Sequence, residues 1–402
     1  MNMLSFFGLL NAIYGSKTPD LEAIQRKGLL AVKIAQHYAL RIDFLDEDVC
    51  RHLAKLYRSN MSIPSEDIDL LLKGYVSDSW FDELQEFDTV PIASASVGQV
   101  HKARLKDNSQ VVVKVIKKDF RKSFLDDIRS LRRLIHIAIF FYPRLSRVFD
   151  PLGIISHIED YTLSELNLLN EIHGQETLRK IYHEYRETYD LSRLKFHRLY
   201  AALSNENVLV SEYIDGHSFD ELLGKDGLPY EKLLDLFSIH GLYLFGRGVF
   251  HGDIHPGNVI LDKDGYINFI DTSAVSTIGE KIRYGLFRFF EALSFYDYKE
   301  CANHINQMSE KKLYERNFEK FKDSFYELYD DFADKTVSEV SLTKKMMDTI
   351  KLAVTCGMRF EKGMFSIIKS LMYLDGMVLR CRPDAVLIKD MRPFIGDFNK
   401  IL

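Results

Sequence analysis

Asp253 stands in the run His251, Gly252, Asp253, Ile254, His255, Pro256, Gly257, Asn258, so an acid in a tight loop is followed five positions later by an amide. Thirteen positions beyond Asn258, at the end of a strand-like run, comes Asp271. An acid, an amide and a second acid in that order suit phosphoryl transfer of the kinase type. Asp253 would accept the proton of the attacking group, and Asn258 and Asp271 would hold Mg2+ on the phosphates of ATP. The metal explains the residue types. Magnesium is a hard cation that takes one or two protein oxygens and leaves its other positions to water and phosphate. Such a mechanism is mostly positioning and electrostatics, so the loop must be stiff, which suits Pro256. A surface turn rich in His and Asp would not require three residue types at two correct spacings.

The elements that must position these groups lie on both sides of the loop. A helix over about 230–247 leads into it. Strands over 259–261 and 266–270 form a hairpin around Asp262, Lys263, Asp264 and Gly265, which delivers Asp271 beside Asn258. Earlier in the chain, 90–93, 97–105 and 111–116 read as strands. Lys114 is the one charge in the β-branched run of the third. A buried ammonium is costly without an anion nearby. Lys114 therefore either holds the α and β phosphates of a nucleotide or lies on an edge strand with its head in solvent. The downstream acids and amide favour the first. Residues 119–185 read as mostly helical, with a solvated charged face from Lys117 to Arg133. Glu165 or Glu171 should pair with Lys114. A strand over 207–213 ends on Glu212 and Tyr213, placed where a hinge joins two lobes, and Gly216 marks the turn. Everything after Thr277 reads as helix, and Ile282, Leu286, Phe289, Phe290 and Leu293 make a core stripe.

The first ~85 residues read as helical. Thr18, Pro19 and Asp20 start a helix that runs to about Arg41, with Lys33, Gln36 and Leu40 on one face. Asp46 opens a second helix carrying Val49, Leu53, Leu56 and Tyr57, and Ser65 caps a third that ends near Gly74. The apolar N-terminus (Leu4, Phe6, Phe7, Leu9, Leu10) lacks basic residues at its start and makes a poor signal peptide. It is either an interfacial anchor or a short helix packed on the domain.

Composition sets the bounds. A chain of 402 residues, 46% hydrophobic and 28% charged, is long enough for more than one core. A net charge of -5 gives no support to nucleic-acid binding. Cys50, Cys301, Cys356 and Cys381 are scattered, which fits a reducing intracellular compartment rather than a disulfide framework or a zinc site. The longest apolar run, 134–142, is too short to span a bilayer.

Four stretches of this sequence resemble the UbiB/AarF-type atypical kinases linked to coenzyme Q biosynthesis. Residues 91–101 (Pro-Ile-Ala-Ser-Ala-Ser-Val-Gly-Gln-Val-His) are similar to that family's alanine-rich nucleotide loop, which replaces a glycine-rich one. Lys33-Ile34-Ala35-Gln36, followed by Arg41 and Asp43, resembles its N-terminal Lys-x-Gly-Gln signature. Glu165-Leu166-Asn167, with Glu171 after it, resembles its Glu-x-Asp helix, and 251–258 its catalytic loop. Arg382-Pro383-Asp384 extends the likeness almost to the end of the chain. The resemblance implies that Ala93, Ser94, Ala95, Ser96 and Val97 form the nucleotide loop and that Lys114 pairs with the phosphates and with Glu171. It implies further that Lys33, Gln36 and Glu165 form an extra regulatory layer over the site, which would exclude a protein substrate. Ala35, Asn167, Thr272 and Ser273 depart from the pattern: the family has glycine and a second acid at the first two, and kinases have Phe-Gly after the metal-binding Asp. Ser94 interrupts the alanine run. His255 stands where ordinary protein kinases place lysine, and reads either as a weaker phosphate contact or as a loop-stabilising hydrogen bond.

The expected fold is α+β, a two-lobed protein-kinase-like fold with a helical N-terminal extension (1–86), an N-lobe (87–213) and a helical C-lobe (214–402). The expected function is an atypical kinase or ATPase that binds MgATP and acts in isoprenoid-quinone (ubiquinone) or related lipid metabolism. A catalytically weak nucleotide-binding scaffold, a pseudokinase that regulates a partner complex or a membrane contact, is the alternative. Expected partners are ATP, a lipid or isoprenoid-quinone precursor and a peripheral membrane surface.

Overall fold

The computed structural model describes residues 3–39, 45–57, 62–117, 120–142, 151–360 and 364–399. These form two compact units: residues 1–172 with 197–213, and residues 173–196 with 214–402.

The first unit is built on an antiparallel sheet in the order β1 (Leu84–Ser94), β2 (Gly98–Leu105), β3 (Gln110–Ile116), β5 (Val208–Glu212). Alternation divides the side chains of β3 between the two faces. Val111, Val113 and Val115 join Val208, Val210, Ala103 and Leu105 against Ile68, Leu72 and Trp80 of the preceding helices. The opposite face meets a larger helical core. There the N-terminal helices (Leu9, Ile13, Leu30, Ile34) pack with Phe124, Ile128 and Leu131 of the helix Arg121–Phe141 and with Ile155 and Ile158 of the helix Pro151–Glu165. Trp80 Nε1 donates to Leu203 O at 2.8 Å, so the indole is satisfied inside.

The N-terminal helix Met3–Tyr14 buries Leu9 and Ile13 and leaves Phe7 exposed. The single helix expected over 18–41 is two helices, Leu21–Arg26 and Leu29–Tyr38. Gly28 at φ +98° separates them, a conformation only glycine adopts without strain. The first is capped by Asp20, whose carboxylate accepts from Ala23 N at 3.0 Å, rather than by Thr18. Leu40, Arg41 and Asp43 lie outside the described residues. The second expected helix is Glu47–Leu53 followed by a 3-10 turn Ala54–Tyr57, and the third starts at Ile68 rather than near Ser65.

The second unit holds a smaller sheet, β4 (Leu194–Lys195), β9 (Ile267–Phe269), β8 (Val259–Asp262), β6 (Gly216–Ser218), and a separate pair, β7 (Val249–His251) with β10 (Val275–Thr277). Its remaining structure is mostly helical. The expected stripe is buried: Ile282, Leu286, Phe289 and Leu293 are inaccessible and Phe290 nearly so. Phe245 meets Phe287 and Phe398 with ring centroids 5.6 and 5.5 Å apart. No helix among the described residues is long and apolar enough to cross a membrane.

Candidate functional site

In the first unit, Lys114 lies on the central strand β3, paired on one side with Val100 of β2 and on the other with Leu209 of β5. It is therefore not an edge-strand lysine. Its ammonium forms an ion pair with Glu171, in the first turn of the helix Leu169–Tyr185, and both side chains are largely buried. Asn167 Oδ1 accepts from Leu169 N at 3.1 Å and so helps to start that helix.

The segment Ala93 to Val97 closes the β1–β2 hairpin. Ala95 N donates to Gly98 O at 2.8 Å, and Ser94 pairs with Gln99. Val97 is buried, whereas Ala93 and Ala95 are exposed and Ser94 and Ser96 half-exposed. Lys117, which the sequence placed on a solvated face, is instead half-buried and ties the loop. Its Nζ donates to Ala95 O at 2.5 Å and its N–H to Val97 O at 2.9 Å. Burial pushes the Lys117 amine down to about 8.

A second tie went unread in the sequence. Gln99 Oε1 accepts from Ile63 N at 2.8 Å, and Gln99 Nε2 contacts His101 Nε2 at 2.8 Å. His101 Nδ1 then meets Asp88 O at 2.8 Å. Both side chains are inaccessible, and burial lowers the pKa of His101. Two polar residues at alternate positions of one strand were the available signal.

Lys33 and Gln36 lie on the helix Leu29–Tyr38, whose residues 29–37 are all buried, so their face is not a solvated one. Lys33 forms an ion pair with Glu165 and lies 5.4 Å from the centre of the Tyr161 ring. Gln36 Nε2 donates to Leu56 O at 2.9 Å. Glu212 ends β5, where its carboxylate accepts from Arg198 N at 2.9 Å, and Tyr213 N donates to Gln110 O at 3.0 Å.

In the second unit, the loop around Asp253 is held at many points. The helix Tyr230–Gly241 continues as a π-helix, Leu242–Arg247, and Gly248 at φ +66° turns the chain into β7. His251 Nε2 meets Ile270 O at 3.0 Å while its Nδ1 accepts from Asp253 N at 3.2 Å. Burial lowers the pKa of His251, consistent with a neutral ring that donates at one nitrogen and accepts at the other. Gly252 lets β7 come close to Ala274 and Ser276, since a Cβ there would lie 2.5 Å from Ala274 O.

Asn258 Nδ2 donates to Asp253 O at 2.9 Å. That bond fixes the amide and turns Oδ1 to the other side. Ile270 N donates to Asn258 O at 3.0 Å, which sets Asp271 at the same end of the β8–β9 hairpin as Asn258. Asp271 has φ +52° and ψ +51°, a left-handed conformation that aspartate adopts more readily than most non-glycine residues. Ser273 Oγ donates to Asp271 Oδ1 at 3.0 Å. Gly174 packs so closely on the next residue that a Cβ would fall 1.9 Å from Thr272 O.

One amide oxygen and one carboxylate fit magnesium, which needs only one or two protein ligands when phosphate and water supply the rest. Among the described residues no cluster of three or more His, Cys, Asp or Glu could hold a metal by itself.

His255 Nδ1 accepts from Gly257 N at 3.0 Å, and its ring lies edge-on to Tyr373 with centroids 5.3 Å apart. A side chain that the sequence reading missed lies against the Asp253 carboxylate: Lys369, on the helix Met364–Cys381, with Nζ 2.9 Å from Asp253 Oδ1. Both groups are buried.

A strand lysine paired with a helix glutamate, and an Asp–Asn–Asp set on a loop and hairpin, are features of the protein-kinase-like fold. Comparison with known proteins gives the family. A model of the ABC1 atypical kinase-like domain matches residues 55–305, and the chain belongs to that family. It is 27% identical over 389 residues to a probable protein kinase UbiB of Vibrio campbellii, covering 94% of this chain and 69% of the relative. It is 25% identical to an uncharacterized protein of Clostridium pasteurianum encoded in the hydrogenase 1 5' region, covering 96% and 72%. To an uncharacterized chloroplastic aarF domain-containing protein kinase of Arabidopsis thaliana it is 24% identical, covering 96% and 74%. Among solved structures, a Mycobacterium tuberculosis protein in complex with erythromycin matches with a TM-score of 0.54 at 18% identity, covering 95% of each chain, and supports the fold alone.

Proposed function

We propose that this chain binds MgATP and moves its γ-phosphoryl group to water or to a small or lipid acceptor, as an atypical kinase or ATPase. The observation that carries the reading is the hydrogen bond from Asn258 Nδ2 to Asp253 O. It leaves the amide oxygen available to a cation, at the end of the hairpin that also carries Asp271. In this reading Asn258 and Asp271 hold magnesium, and the metal neutralises charge on the phosphates when bound. Asp253 orients the attacking hydroxyl and receives its proton. Lys114, kept in place by Glu171, contacts the α and β phosphates, and the Ala93–Val97 segment covers them. Glu212 and Tyr213 lie along the adenine. Lys33, Gln36 and Glu165 regulate access, which favours a small or lipid acceptor over a protein. The relatives named UbiB support an acceptor in ubiquinone or related isoprenoid-lipid metabolism.

The test is steady-state ATP hydrolysis by the full chain, with and without lipid vesicles, beside the Asp271→Asn variant. Hydrolysis that the variant loses supports the reading. MgATP binding with no turnover under either condition would favour a nucleotide-binding scaffold instead.

A further inference from the structure

Lys369 is a single charge in the apolar run Met-Phe-Ser-Ile-Ile-Lys-Ser-Leu-Met-Tyr-Leu, residues 364–374. Its ammonium is withdrawn from water, where an unpaired charge would be very costly. It is aimed at the one acid of the loop that the proposed chemistry uses: Nζ lies 2.9 Å from Asp253 Oδ1. The helix that carries it is locked under the loop. Tyr373, one turn on, lies with its ring centre 5.8 Å from Lys369 Nζ and edge-on to His255, and Ser370 Oγ approaches His251 O at 3.4 Å. His255, where ordinary kinases have lysine, is occupied in bracing the loop through Gly257 N.

We infer that Lys369 is a positioning residue for phosphoryl transfer, supplying from the C-terminal helix the cation that ordinary kinases place two residues after the loop aspartate. The inference rests on the MgATP reading and extends it. A hydroxyl oxygen held by Asp253 at hydrogen-bond distance would lie within about 8 Å of the Lys369 ammonium. In the step, that oxygen forms its bond to Pγ while the bond from Pγ to the β–γ bridging oxygen breaks. The electron pair leaves with ADP, and the hydroxyl proton goes to Asp253. Lys369 fixes the rotamer of Asp253, so that the carboxylate meets the attacking hydroxyl in one orientation. It touches neither adenine nor metal in this scheme, so its removal should slow turnover without weakening nucleotide binding.

The experiment compares Lys369→Gln, Lys369→Arg and Lys369→Met with the full parent chain, reading kcat, KM for MgATP and the rise in Tm with MgATP. Lys369→Gln keeps a hydrogen-bond donor toward Asp253 and is the variant that decides if Lys369→Met does not fold. For Lys369→Gln, kcat is expected to fall about 10- to 100-fold while KM changes less than about threefold and the nucleotide-induced rise in Tm remains. Lys369→Arg is expected to recover part of kcat. Parent-like kcat in Lys369→Gln overturns the inference, and so does a loss confined to KM. A parent that binds MgATP without turning it over also counts against it, since nothing would then be positioned. A parent that shows no MgATP binding contradicts the proposed function itself, a different result from any of these.

Discussion

The two units take charge out of water in opposite senses. In the first, the group proposed to meet the phosphates is a cation, Lys114, which the acid Glu171 holds, and Lys33 is paired in the same way with Glu165. In the second, the group with the task is an acid, Asp253, and a cation, Lys369, supports it. All six side chains are mostly buried, so each pair is held by mutual need. The difference teaches how to read a lone lysine in an apolar run. It announces a carboxylate nearby, but it does not say which of the two does the work.

The comparison can be broken most forcefully by removing one partner of a first-unit pair. Lys114→Ala or Lys33→Ala leaves a buried carboxylate without its cation, and urea unfolding is expected to show a loss of about 3–5 kcal/mol. Adding Glu171→Gln to Lys114→Ala should cost less than the sum of the two single losses. Additive losses would mean that the two residues do not support one another. A smaller effect is expected of Gly174→Ala, which pushes a methyl group into Thr272 O beside Asp271. Thermal unfolding should report about 1–3 kcal/mol of destabilisation, with a weaker magnesium-dependent response to nucleotide. Parent-like melting would contradict the close approach.

Protonation sharpens the same contrast, because the second unit also buries a histidine that stays neutral. His240 is packed edge-on to Phe250, and burial pushes its pKa down to about 3. The unfolded chain binds that proton near pH 6.5, so between about pH 6.5 and 3 it holds more protons than the folded one. Stability from His240 is thus complete above about pH 6.5 and falls with acid through that window, by up to about 1.4 kcal/mol per pH unit. His240→Leu should flatten this part of the stability–pH curve, and an unchanged slope would show that His240 does not contribute. The mildest effect belongs to Gln36→Ala, which strips a hydrogen bond from Leu56 O and should cost about 1 kcal/mol. If Gln36 also regulates the nucleotide site, nucleotide titration will show altered affinity beyond that small loss. Unchanged affinity and turnover would leave the residue a structural brace.

The fold and the placement of several candidate residues were legible in the sequence because they are written in short spacings. Asp253, Asn258 and Asp271 fall on a loop and the hairpin after it, and Lys114 interrupts a run of β-branched residues. Lys369 carried the same signature as Lys114, yet in a helix a lysine can extend its stem to solvent, so its burial was not legible. Its partner also lies far away in the chain, where no local pattern points. Gly28 was passed over inside an apparently continuous helix, because periodicity carries across a break that only its φ reveals. Lys117 was read by its charged neighbours rather than by its place at the end of β3, where its side chain reaches back to Ala95. The resemblance of residues 91–101 to a nucleotide loop located the hairpin, while the buried Gln99–His101 tie needed the strand register to be seen.

The central claim is that Asn258 and Asp271 hold magnesium for a nucleotide. It is tested most directly by the thermal stability of parent and Asp271→Asn with ATP, in excess magnesium and in excess chelator. A ligand that prefers the folded chain stabilises it, by about 2.7 kcal/mol at a hundredfold excess over Kd. The parent should melt higher with MgATP than with ATP and chelator, and Asp271→Asn should lose most of that magnesium-dependent difference while melting normally without nucleotide. An equal magnesium-dependent rise in the variant and the parent would contradict the account.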